Sequence, residues 1–451
     1  MDRKSAEDFI YESYLKASEH QSYGDKDKDK RHPEFTKNLI EELSVTDAVV
    51  ITGSKGKGSV AKMLSTILET YYRVGLMTSP HILTFNERFR INGEPISDES
   101  FVEHMEKIAP KINEIMDVLD EKSCVSPMGI QAALALSYFN SKNSEFNIFE
   151  CGKGAQFDDV NNIPHKFAII NSIFLEHRRE LGDTIADIAF DKAHVITGRE
   201  KCVFVGEQSQ EALEVIKRRA KEKQVKLKIY GRDFEARNIR FLKSGMNFDV
   251  SMRTDGDNEL LIEGINLPLL GRHQAKNCAL AMAAAYDICE YLKANNKQRD
   301  EFSIDKKDDI KARLSKISWP GRLEVIAQNP FTILDACINR ASCENVKEAI
   351  KELGIRDYTL IIGIPDDKDY LGVTMEMVSS SKNIILTKSQ NPHYVFTEKQ
   401  ISTLNENGIK AQWTSSSKEA VEKAIALNEP IVILGTTSLI AEIEELYKLK
   451  F

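Results

Sequence analysis

A glycine-rich segment near residue 55 has the composition of a phosphate-binding loop. It consists of Gly53, Ser54, Lys55, Gly56, Lys57, Gly58 and Ser59. The glycines let the backbone approach an anion closely, and the N–H groups of a following helix would point at that anion. Lys57 would neutralise the β- and γ-phosphates of a nucleotide, and the Ser59 hydroxyl would assist phosphate or Mg²⁺ binding. The spacing G-x-x-G-K-G-S differs from the commoner G-x-x-x-x-G-K-[ST], and a purely structural turn is the alternative.

Two further residues are of types that could hold a hard cation. Glu150 ends a predicted strand, and His177 follows Leu175 and Glu176 in a predicted loop. A carboxylate at a strand end and a histidine in a loop can both serve as metal ligands. Taken separately, each is better explained as a structural or surface residue. The segments 78–81 and 152–154 are likewise explained as simple turns.

The elements around the glycine-rich loop predict an α/β protein. Residues 48–51 form a short apolar run before the loop, and apolar residues at helical spacing follow it. The order is therefore strand, loop, helix, which is the first unit of an α/β sheet. A second α/β set begins near residue 310. We predict a P-loop ATPase domain with a mostly parallel sheet at residues 1–309, and a smaller Rossmann-like α/β domain at residues 310–451.

The remaining elements are predicted from hydrophobic periodicity. The predicted strands are residues 146–151, 167–173, 202–205, 359–363, 383–387 and 431–435, with short β segments within 240–263. The predicted helices are residues 128–139, 184–196, 271–292, 343–353 and 418–427, and the first 45 residues are amphipathic and helical. The charged segments 24–30 and 295–309 predict solvated surface, the second of them near the domain boundary.

Composition and charge exclude several classes of protein. The chain has 451 residues, with 61 basic and 69 acidic side chains and a formal net charge of −8, which argues against a nonspecific nucleic-acid binder. No apolar run approaches the ~18 residues of a membrane span, and the first 30 residues show no secretory signal. Seven cysteines without a CxxC pair predict reduced thiols and a cytoplasmic protein.

Taken together, the motifs resemble those of folylpolyglutamate synthases, within the ATP-dependent Mur ligase superfamily. They follow the family's order from about Tyr11 to the C-terminus, nearly the whole chain. The matching segments are residues 52–60, 78–81, 85–88, 91–93, 150–154, 175–177, 181–182, 191–193, 270–274 with Asn277, 319–324, 334–335 with Asn339, and 367–369. So many segments in one order are not expected by chance.

This resemblance implies a Mur ligase central-type fold and a ligase activity. Such ligases phosphorylate a substrate carboxylate with ATP, and an amine then attacks the acyl phosphate, giving an amide, ADP and phosphate. The resemblance implies that Lys57 and the loop amides hold the ATP phosphates. The positions that match the family's Mg²⁺ ligands are Ser59, Ser79, Glu150 and His177.

The resemblance also assigns roles outside the loop. Lys192 matches a lysine that is carbamylated in the family, and a carbamate forms only on a neutral amine, hence on a lysine with a lowered pKa. Without the family match, Lys192 would be interpreted as an exposed helix lysine. Asn277, Arg322 and Asp335 match positions that bind the nucleotide, with Arg322 near the phosphates. On this basis the catalytic residues are Lys57, His177 and Lys192.

The departures from the family spare the ATP and metal positions. The family pattern E-V-G-x-G-G-R-x-D-A-T-N corresponds to residues 150–161, where the arginine is replaced by Gln156 and the alanine by Asp159. A phenylalanine-glutamate pair is replaced by Met128 and Gly129, and the aspartate of L-D-H by Glu176.

In the second domain, the family histidine near the incoming glutamate is replaced by Ile338, and the following proline by Arg340. An isoleucine can neither donate a hydrogen bond nor carry charge. Two hypotheses stay open. The chain has a changed acceptor or amino donor, or weak glutamate ligation. Alternatively it is an ordinary, divergent folylpolyglutamate synthase that binds glutamate through Arg340 or Ser438.

Two other classes of function are weighed against the ligase. The first is a non-catalytic or weakly active ATP-binding homologue that serves as a partner subunit; intact Lys57, Glu150 and Lys192 argue against it. The second is a P-loop kinase or simple ATPase, against which the second α/β domain with Asp335 speaks. The expected partners are a small-molecule carboxylate and an amino acid or other amine, with no nucleic acid and no membrane. Monomer and oligomer both stay open.

Overall fold

A computed structural model describes residues 1–20, 31–254, 258–295 and 306–450 of the chain. The helices are α1 Arg3–Ser18, α2 Glu34–Leu43, α3 Lys57–Leu68, α4 Asp98–Met116, α5 Pro127–Ser141, α6 Arg178–Leu181, α7 Ile185–Lys192, α8 Gln210–Lys223, α9 Arg272–Asn295, α10 Lys307–Leu314, α11 Cys343–Glu352, α12 Tyr370–Met377, α13 Lys399–Glu406, α14 Ser417–Ala426 and α15 Thr437–Lys450. Segment 24–30 and most of segment 295–309, which were predicted to be solvated, lie outside the described residues.

The strands belong to three sheets. They are β1 Ala48–Thr52, β2 Val74–Met77, β3 Phe89–Ile91, β4 Glu94–Pro95, β5 Phe146–Glu150, β6 Phe167–Ile170, β7 Cys202–Val205, β8 Leu227–Ile229, β9 Phe234–Leu242, β10 Gly245–Arg253, β11 Glu259–Leu267, β12 Glu324–Gln328, β13 Phe331–Asp335, β14 Tyr358–Gly363, β15 Ser381–Leu386, β16 Gln412–Trp413 and β17 Ile431–Gly435. The predicted α/β class is confirmed.

The largest sheet has eight strands in the order β4-β3-β2-β5-β1-β6-β7-β8. Strands β2, β5, β1, β6, β7 and β8 pair in parallel, and β3 and β4 add an antiparallel edge. All five residues of β1 and of β5 are buried, as expected for parallel strands covered by helices on both faces. Because β1 lies between β5 and β6, the loop that follows it opens at the centre of the sheet, where α/β proteins bind ligands.

The second large sheet has six strands in the order β12-β13-β17-β14-β15-β16. Its β12–β13 pair is antiparallel, and the other pairs are parallel. Strands β14 and β17 are buried along their whole lengths, and helices connect the parallel strands in sequence. This is the smaller doubly wound α/β arrangement expected for the C-terminal part of the chain.

Strands β9, β10 and β11 form a separate three-stranded sheet. Each strand has nine residues, so the prediction of short β segments is wrong in length. The burial of β11 alternates irregularly, with most of its side chains exposed or half-buried. A strand that buries only part of one face shows no continuous apolar run, which is why its length was underestimated.

The described chain divides into two compact units. The first comprises Met1–Ala236, Val250–Leu261 and Lys276–Arg313, and the second comprises Arg237–Asp249, Ile262–Ala275 and Leu314–Phe451. The domain boundary between residues 309 and 310 stays a prediction. Within the described segments, no helix combines the length and the apolar composition needed to cross a bilayer. All seven cysteines are buried free thiols, as the sequence predicted.

The carboxyl groups of Glu324 and Glu444 give the second unit a testable pH dependence. Burial, and next the charge of Glu444, raise the pKa of Glu324 to about 7. Because the pKa of Glu324 is higher in the folded than in the unfolded state, the folded state binds the proton more tightly. This contribution to stability is therefore fully present below the unfolded pKa and is lost as the pH rises through about 7. We expect thermal unfolding between pH 6 and pH 8 to show a falling Tm, with a shallower fall in Glu444→Gln.

Glu445→Gln is the matched control for this experiment, because Glu445 lies on the same helix and is exposed. It should leave the pH dependence of the wild-type protein unchanged. Equal slopes of Tm against pH in wild-type protein and Glu444→Gln would contradict the assignment to the Glu324–Glu444 pair.

Candidate functional site

The glycine-rich loop connects the buried end of β1 to helix α3. Hydrogen bonds fix it against the chain that follows β6: Ser54 N donates to Ser172 O over 2.9 Å. Gly56 precedes α3 with a φ of 74°, and a Cβ at this position would lie 2.6 Å from Asn171 Nδ2. Both the backbone conformation and the available space therefore require glycine at position 56.

The other predicted loop residues lie on the same continuous turn. Gly53 also has a positive φ, of 144°. Lys55 is exposed, whereas Gly58 and Ser59 belong to the first turn of α3. The structure thus brings all seven predicted residues to a helix N-terminus, where backbone N–H groups and the helix dipole favour an anion.

Two lysine ammonium groups meet at one carbonyl of this loop. Lys57 Nζ donates to Gly53 O over 3.1 Å, and Lys192 Nζ, from the end of α7, donates to the same oxygen over 3.0 Å. Lys192 is only 1% exposed, so its interpretation as an exposed helix lysine is wrong. Burial, and next the charge of Lys57, lower the pKa of Lys192, because both favour the uncharged amine.

Glu176 and His177 lie beside the buried lysine. Glu176, which replaces the family's aspartate, places Oε1 3.1 Å from Lys192 Nζ. His177 precedes the short helix α6 with a φ of 46°. Desolvation of the imidazole lowers the pKa of His177, against the opposing charge of Glu176. The ring is therefore neutral at pH 7 and can act as a metal ligand or hydrogen-bond partner.

Glu150 and Ser79 are joined directly. Glu150 ends β5 and is 4% exposed, and its Oε2 accepts a 3.0 Å hydrogen bond from Ser79 N. In the sheet, Glu150 pairs with Ile51 of β1, so its carboxylate stands at the same edge from which the glycine-rich loop departs. Two predicted metal positions, distant in sequence, are thus neighbours in the fold.

The donor chemistry at this edge fits Mg²⁺. Mg²⁺ prefers oxygen ligands and is usually held by one or two carboxylates together with phosphate oxygens and water. The Glu150 carboxylate and the Ser59 hydroxyl, which is 3% exposed, supply such oxygens. In the described residues, no group of three or more His, Cys, Asp or Glu side chains could form a metal site.

Asn171 is a site residue that the sequence analysis missed. It follows β6, and its Nδ2 donates to Lys55 O over 3.1 Å and to Asn277 Oδ1 over 2.9 Å. It therefore joins the glycine-rich loop to helix α9, on which the predicted nucleotide-binding residue Asn277 lies. A polar residue at the carboxyl end of a buried parallel strand is the signal that could have identified it, because Glu150 at the end of β5 and Asn171 just after β6 both lie at such ends.

In the second unit, Arg322 and Asp335 belong to two connected turns. Asp335 ends β13, and its Oδ2 accepts a 2.9 Å hydrogen bond from Leu323 N. Leu323 has a φ of 51°, and Arg322 Nη1 donates to Gly321 O over 3.1 Å. The carboxylate of Asp335 thus fixes the backbone beside Arg322, so these two predicted nucleotide-binding residues are structurally coupled.

In the second unit, Arg340 and Ser438, the two residues considered for glutamate binding, already have hydrogen-bond partners. Arg340 Nε donates to Glu376 Oε1 over 2.6 Å, and Lys347 Nζ lies 2.7 Å from Glu376 Oε2. Ser438 Oγ accepts a 2.8 Å hydrogen bond from Asn391 Nδ2. The Arg340 guanidinium is therefore already paired with the Glu376 carboxylate. This pairing makes Arg340 a weak candidate for binding the carboxylate of a substrate glutamate.

In the first unit, the departures at Gly129 and Asp159 explain one another. A Cβ on Gly129 would lie 2.6 Å from Asp159 Oδ1. Asp159 is 1% exposed and accepts hydrogen bonds from the hydroxyls of Thr36 and Ser126. Burial raises the pKa of Asp159. A glutamate side chain at position 129, as in the family, would therefore clash with the Asp159 carboxylate.

Residues 51–285, more than half of the chain, match the Mur ligase middle domain family. The dihydrofolate synthase/folylpolyglutamate synthase of Bacillus subtilis is 30% identical over 407 residues, which cover 88% of this chain and 90% of that enzyme. The chain belongs to the dihydrofolate synthase/folylpolyglutamate synthase family of Mur ligases. As a member of this family, it is an ATP-dependent ligase that forms amide bonds.

Other relatives of this family agree over similar lengths. The folylpolyglutamate synthase of Lacticaseibacillus casei is 28% identical over 88% of both chains. The crystal structure of the Thermotoga maritima enzyme superposes with a TM-score of 0.77 at 26% identity, over 93% of this chain and 94% of that one. The Mycobacterium tuberculosis enzyme, solved with ADP and AMPPCP, has a TM-score of 0.79 at 23% identity, over 92% and 95%, and supports the fold.

Proposed function

We propose that this ligase joins glutamate to the carboxylate of a folate-type compound, with ATP as the energy source. The observation that carries the proposal is the convergence of Lys57 and Lys192 on Gly53 O, at the sheet edge that also holds Glu150. The similarity to a dihydrofolate synthase/folylpolyglutamate synthase over most of both chains supports the choice of substrates.

The first chemical step brings two anions together. A carboxylate oxygen attacks the γ-phosphorus of ATP, ADP leaves, and an acyl phosphate forms. Lys57 and the backbone N–H groups of the loop hold the phosphate oxygens and offset the repulsion between carboxylate and triphosphate. Mg²⁺ would be held by Ser59, Ser79, Glu150 and His177 and would supply further positive charge on those oxygens. Asn277 is the further nucleotide-binding residue of the first unit in this proposal, and Arg322 and Asp335 stay the predicted nucleotide-binding residues of the second.

The second step forms the amide. The uncharged amino group of the incoming amino acid attacks the acyl carbon, inorganic phosphate leaves, and the amine loses a proton. Lys192 is the residue we assign to a carbamate, since its lowered pKa favours the neutral amine that carbamylation needs. His177, neutral at pH 7, stays available as a ligand or hydrogen-bond partner near the reacting groups.

Product analysis tests the proposed function. Purified protein is incubated with ATP, Mg²⁺, glutamate and either dihydropteroate or tetrahydrofolate. We expect ADP release that depends on both substrates and a product heavier by one glutamyl residue. Reactions without glutamate, and reactions with the Lys57→Ala variant, are the controls. A protein that releases ADP only with another carboxylate or another amine would overturn the choice of substrates while preserving the ligase activity.

A different amino donor is the second candidate. It is favoured by Ile338, which cannot supply the imidazole of the family, and by the pairing of Arg340 with Glu376. Replacing glutamate by other amino acids in the same assay distinguishes the two. Faster turnover with one of these than with glutamate would establish the changed donor.

Lys192→Ala tests the carbamate. We expect a loss of turnover of about 10²-fold or more, because a buried group beside the phosphate-binding loop is removed. Short carboxylates such as acetate should restore part of the activity if the missing group is an anion. Wild-type protein in ¹³C-bicarbonate should also show a carbamate carbon by NMR that Lys192→Ala lacks. Full activity without rescue, or no such signal, would refute carbamylation.

A further inference from the structure

Arg88, at the end of a 3₁₀ turn formed by Phe85–Arg88, is held in one geometry by three contacts. Its Nε donates to His81 Nδ1 over 3.0 Å, and its Nη1 donates to Gln131 Oε1 over 2.7 Å. The guanidinium also lies over the ring of Phe85, with 4.5 Å from Cζ to the ring centroid. Such a fork of donors is preorganised, so it loses little side-chain entropy when it binds a ligand.

Both hydrogen-bond partners of Arg88 are uncharged. Gln131 is an amide, and its own Nε2 is fixed by a 2.9 Å bond to Pro127 O. A guanidinium can only donate, so His81 Nδ1 must be an unprotonated acceptor, and the neutral ring carries its proton on Nε2. Within the described parts of the chain, Arg88 forms no ion pair. A half-buried cation with only neutral partners is a preformed site for an anion.

Arg90, two residues further along β3, provides the contrast. Its guanidinium is also half-buried, but it lies 3.8 Å from Glu87 Oε2. Residues two apart share a face of a regular strand. Arg88, however, is the last residue of the 3₁₀ turn and lies outside β3, so this rule does not place it on the same face as Arg90. The two arginines therefore differ in charge environment: among the described residues Arg90 forms an ion pair and Arg88 does not.

The position of Arg88 ties it to the metal-binding edge of the sheet. Its carbonyl accepts a 3.0 Å hydrogen bond from Thr78 N, and the next residue, Ser79, donates its N–H to Glu150. Glu150 is also among the charged groups that act on the Arg88 guanidinium. An anion bound by Arg88 would thus lie on the same segment as the candidate Mg²⁺ ligands Ser79 and Glu150.

We infer that Arg88 binds the carboxylate group of the acceptor substrate and positions it for attack on ATP. The inference rests on the proposed function, because it assigns the anion to the substrate that the ligase activates. Arg88 Nη2 makes no hydrogen bond to any described residue, and it would donate to one carboxylate oxygen. The Nε2–H of His81 offers a second donor. Gln131 and Phe85 act through Arg88 and are positioning residues.

The test compares Arg88→Gln, Arg88→Lys and the matched control Arg90→Gln. Tetrahydrofolate and dihydropteroate are titrated into each protein saturated with AMPPCP and Mg²⁺, and the KM for ATP is measured in parallel. We expect Arg88→Gln to raise the Kd of the bound folate by about 10- to 100-fold, as for the loss of a charge-assisted hydrogen bond. The KM for ATP should change by less than about twofold, and Arg88→Lys should recover part of the affinity.

Three results would overturn the inference. They are an unchanged Kd in Arg88→Gln, an equal rise of the KM for ATP, or the same loss of affinity in Arg90→Gln. Thermal unfolding of every variant identifies loss of folding, and Arg88→Lys keeps the test decisive if Arg88→Gln does not fold. Failure of the proposed function gives a different result, because wild-type protein would then neither bind nor ligate tetrahydrofolate or dihydropteroate. In that case the Kd values of the same variants are compared for the carboxylate that does stimulate ADP release.

Discussion

Lys57→Ala is expected to reduce kcat/KM for ATP by about 10²- to 10³-fold. The ammonium group is the main side-chain cation of the glycine-rich loop, and removing one preorganised charge partner of a phosphoryl group costs about that much. Lys57 Nζ donates to Gly53 O over 3.1 Å, which holds the charge at the loop. The measurement is steady-state ADP release with the carboxylate and amine substrates saturating.

Lys62→Ala is the matched control for this variant. Lys62 lies on the same helix outside the glycine-rich loop, and the opposite charge that acts on it most strongly is that of Glu69, so its removal should leave the KM for ATP unchanged. Lys57→Ala should also retain the Tm of the wild-type protein within a few degrees. ADP release by Lys57→Ala at near the wild-type rate would refute the assignment of the loop to the nucleotide phosphates.

Gly56→Ala is expected to raise the KM for ATP by at least about tenfold and to lower stability. An alanine at this position must adopt a positive φ, and its Cβ would lie 2.6 Å from Asn171 Nδ2 and 3.0 Å from Asn277 Nδ2. The strain of the positive φ costs about 1–2 kcal/mol. The crowding must additionally displace the Asn171–Asn277 hydrogen bond, and with it the loop that holds the phosphates. Nucleotide titration and thermal unfolding measure the two effects.

Gly231→Ala separates backbone strain from crowding. Gly231 has a similar φ of 80°, but a Cβ there meets nothing within 4 Å. This control should lose about 1–2 kcal/mol of stability from strain alone and should bind ATP normally. Equal nucleotide affinity in Gly56→Ala and Gly231→Ala would show that the space beside Asn171 is unimportant for binding.

The parts of the fold that follow from local sequence were predictable. Strands buried on both faces form short apolar runs, and β7 and β17 begin and end at the predicted residues. Strands β3 and β4, which form the antiparallel end of the large sheet, have only three and two residues. Segments of that length are too short to show a hydrophobic pattern. Helix α4 was not predicted; it carries many charged residues and a proline at position 110. The pairing order of the sheet depends on contacts between distant segments.

In the candidate site too, residues that are close in sequence could be assigned, whereas those brought together from distant segments could not. The glycine-rich loop is contiguous, so its residues could be assigned from their types and spacing. The contact of Lys192 with Gly53 joins residues 139 positions apart, and nothing local to Lys192 distinguishes it from a surface lysine; only the family resemblance identified it. The role of Asn171 likewise depends on which strand lies next to β1.

Gly129 and Asp159 restrict how this sequence can change by single mutations. Restoring the family's glutamate at position 129 would drive its side chain into the space that Asp159 occupies. Replacing Asp159 alone would leave the hydroxyls of Thr36 and Ser126 without their buried acceptor. Each single reversion is therefore expected to destabilise the fold, so the two positions constrain one another through space. Return to the family's arrangement would therefore require both positions to change together.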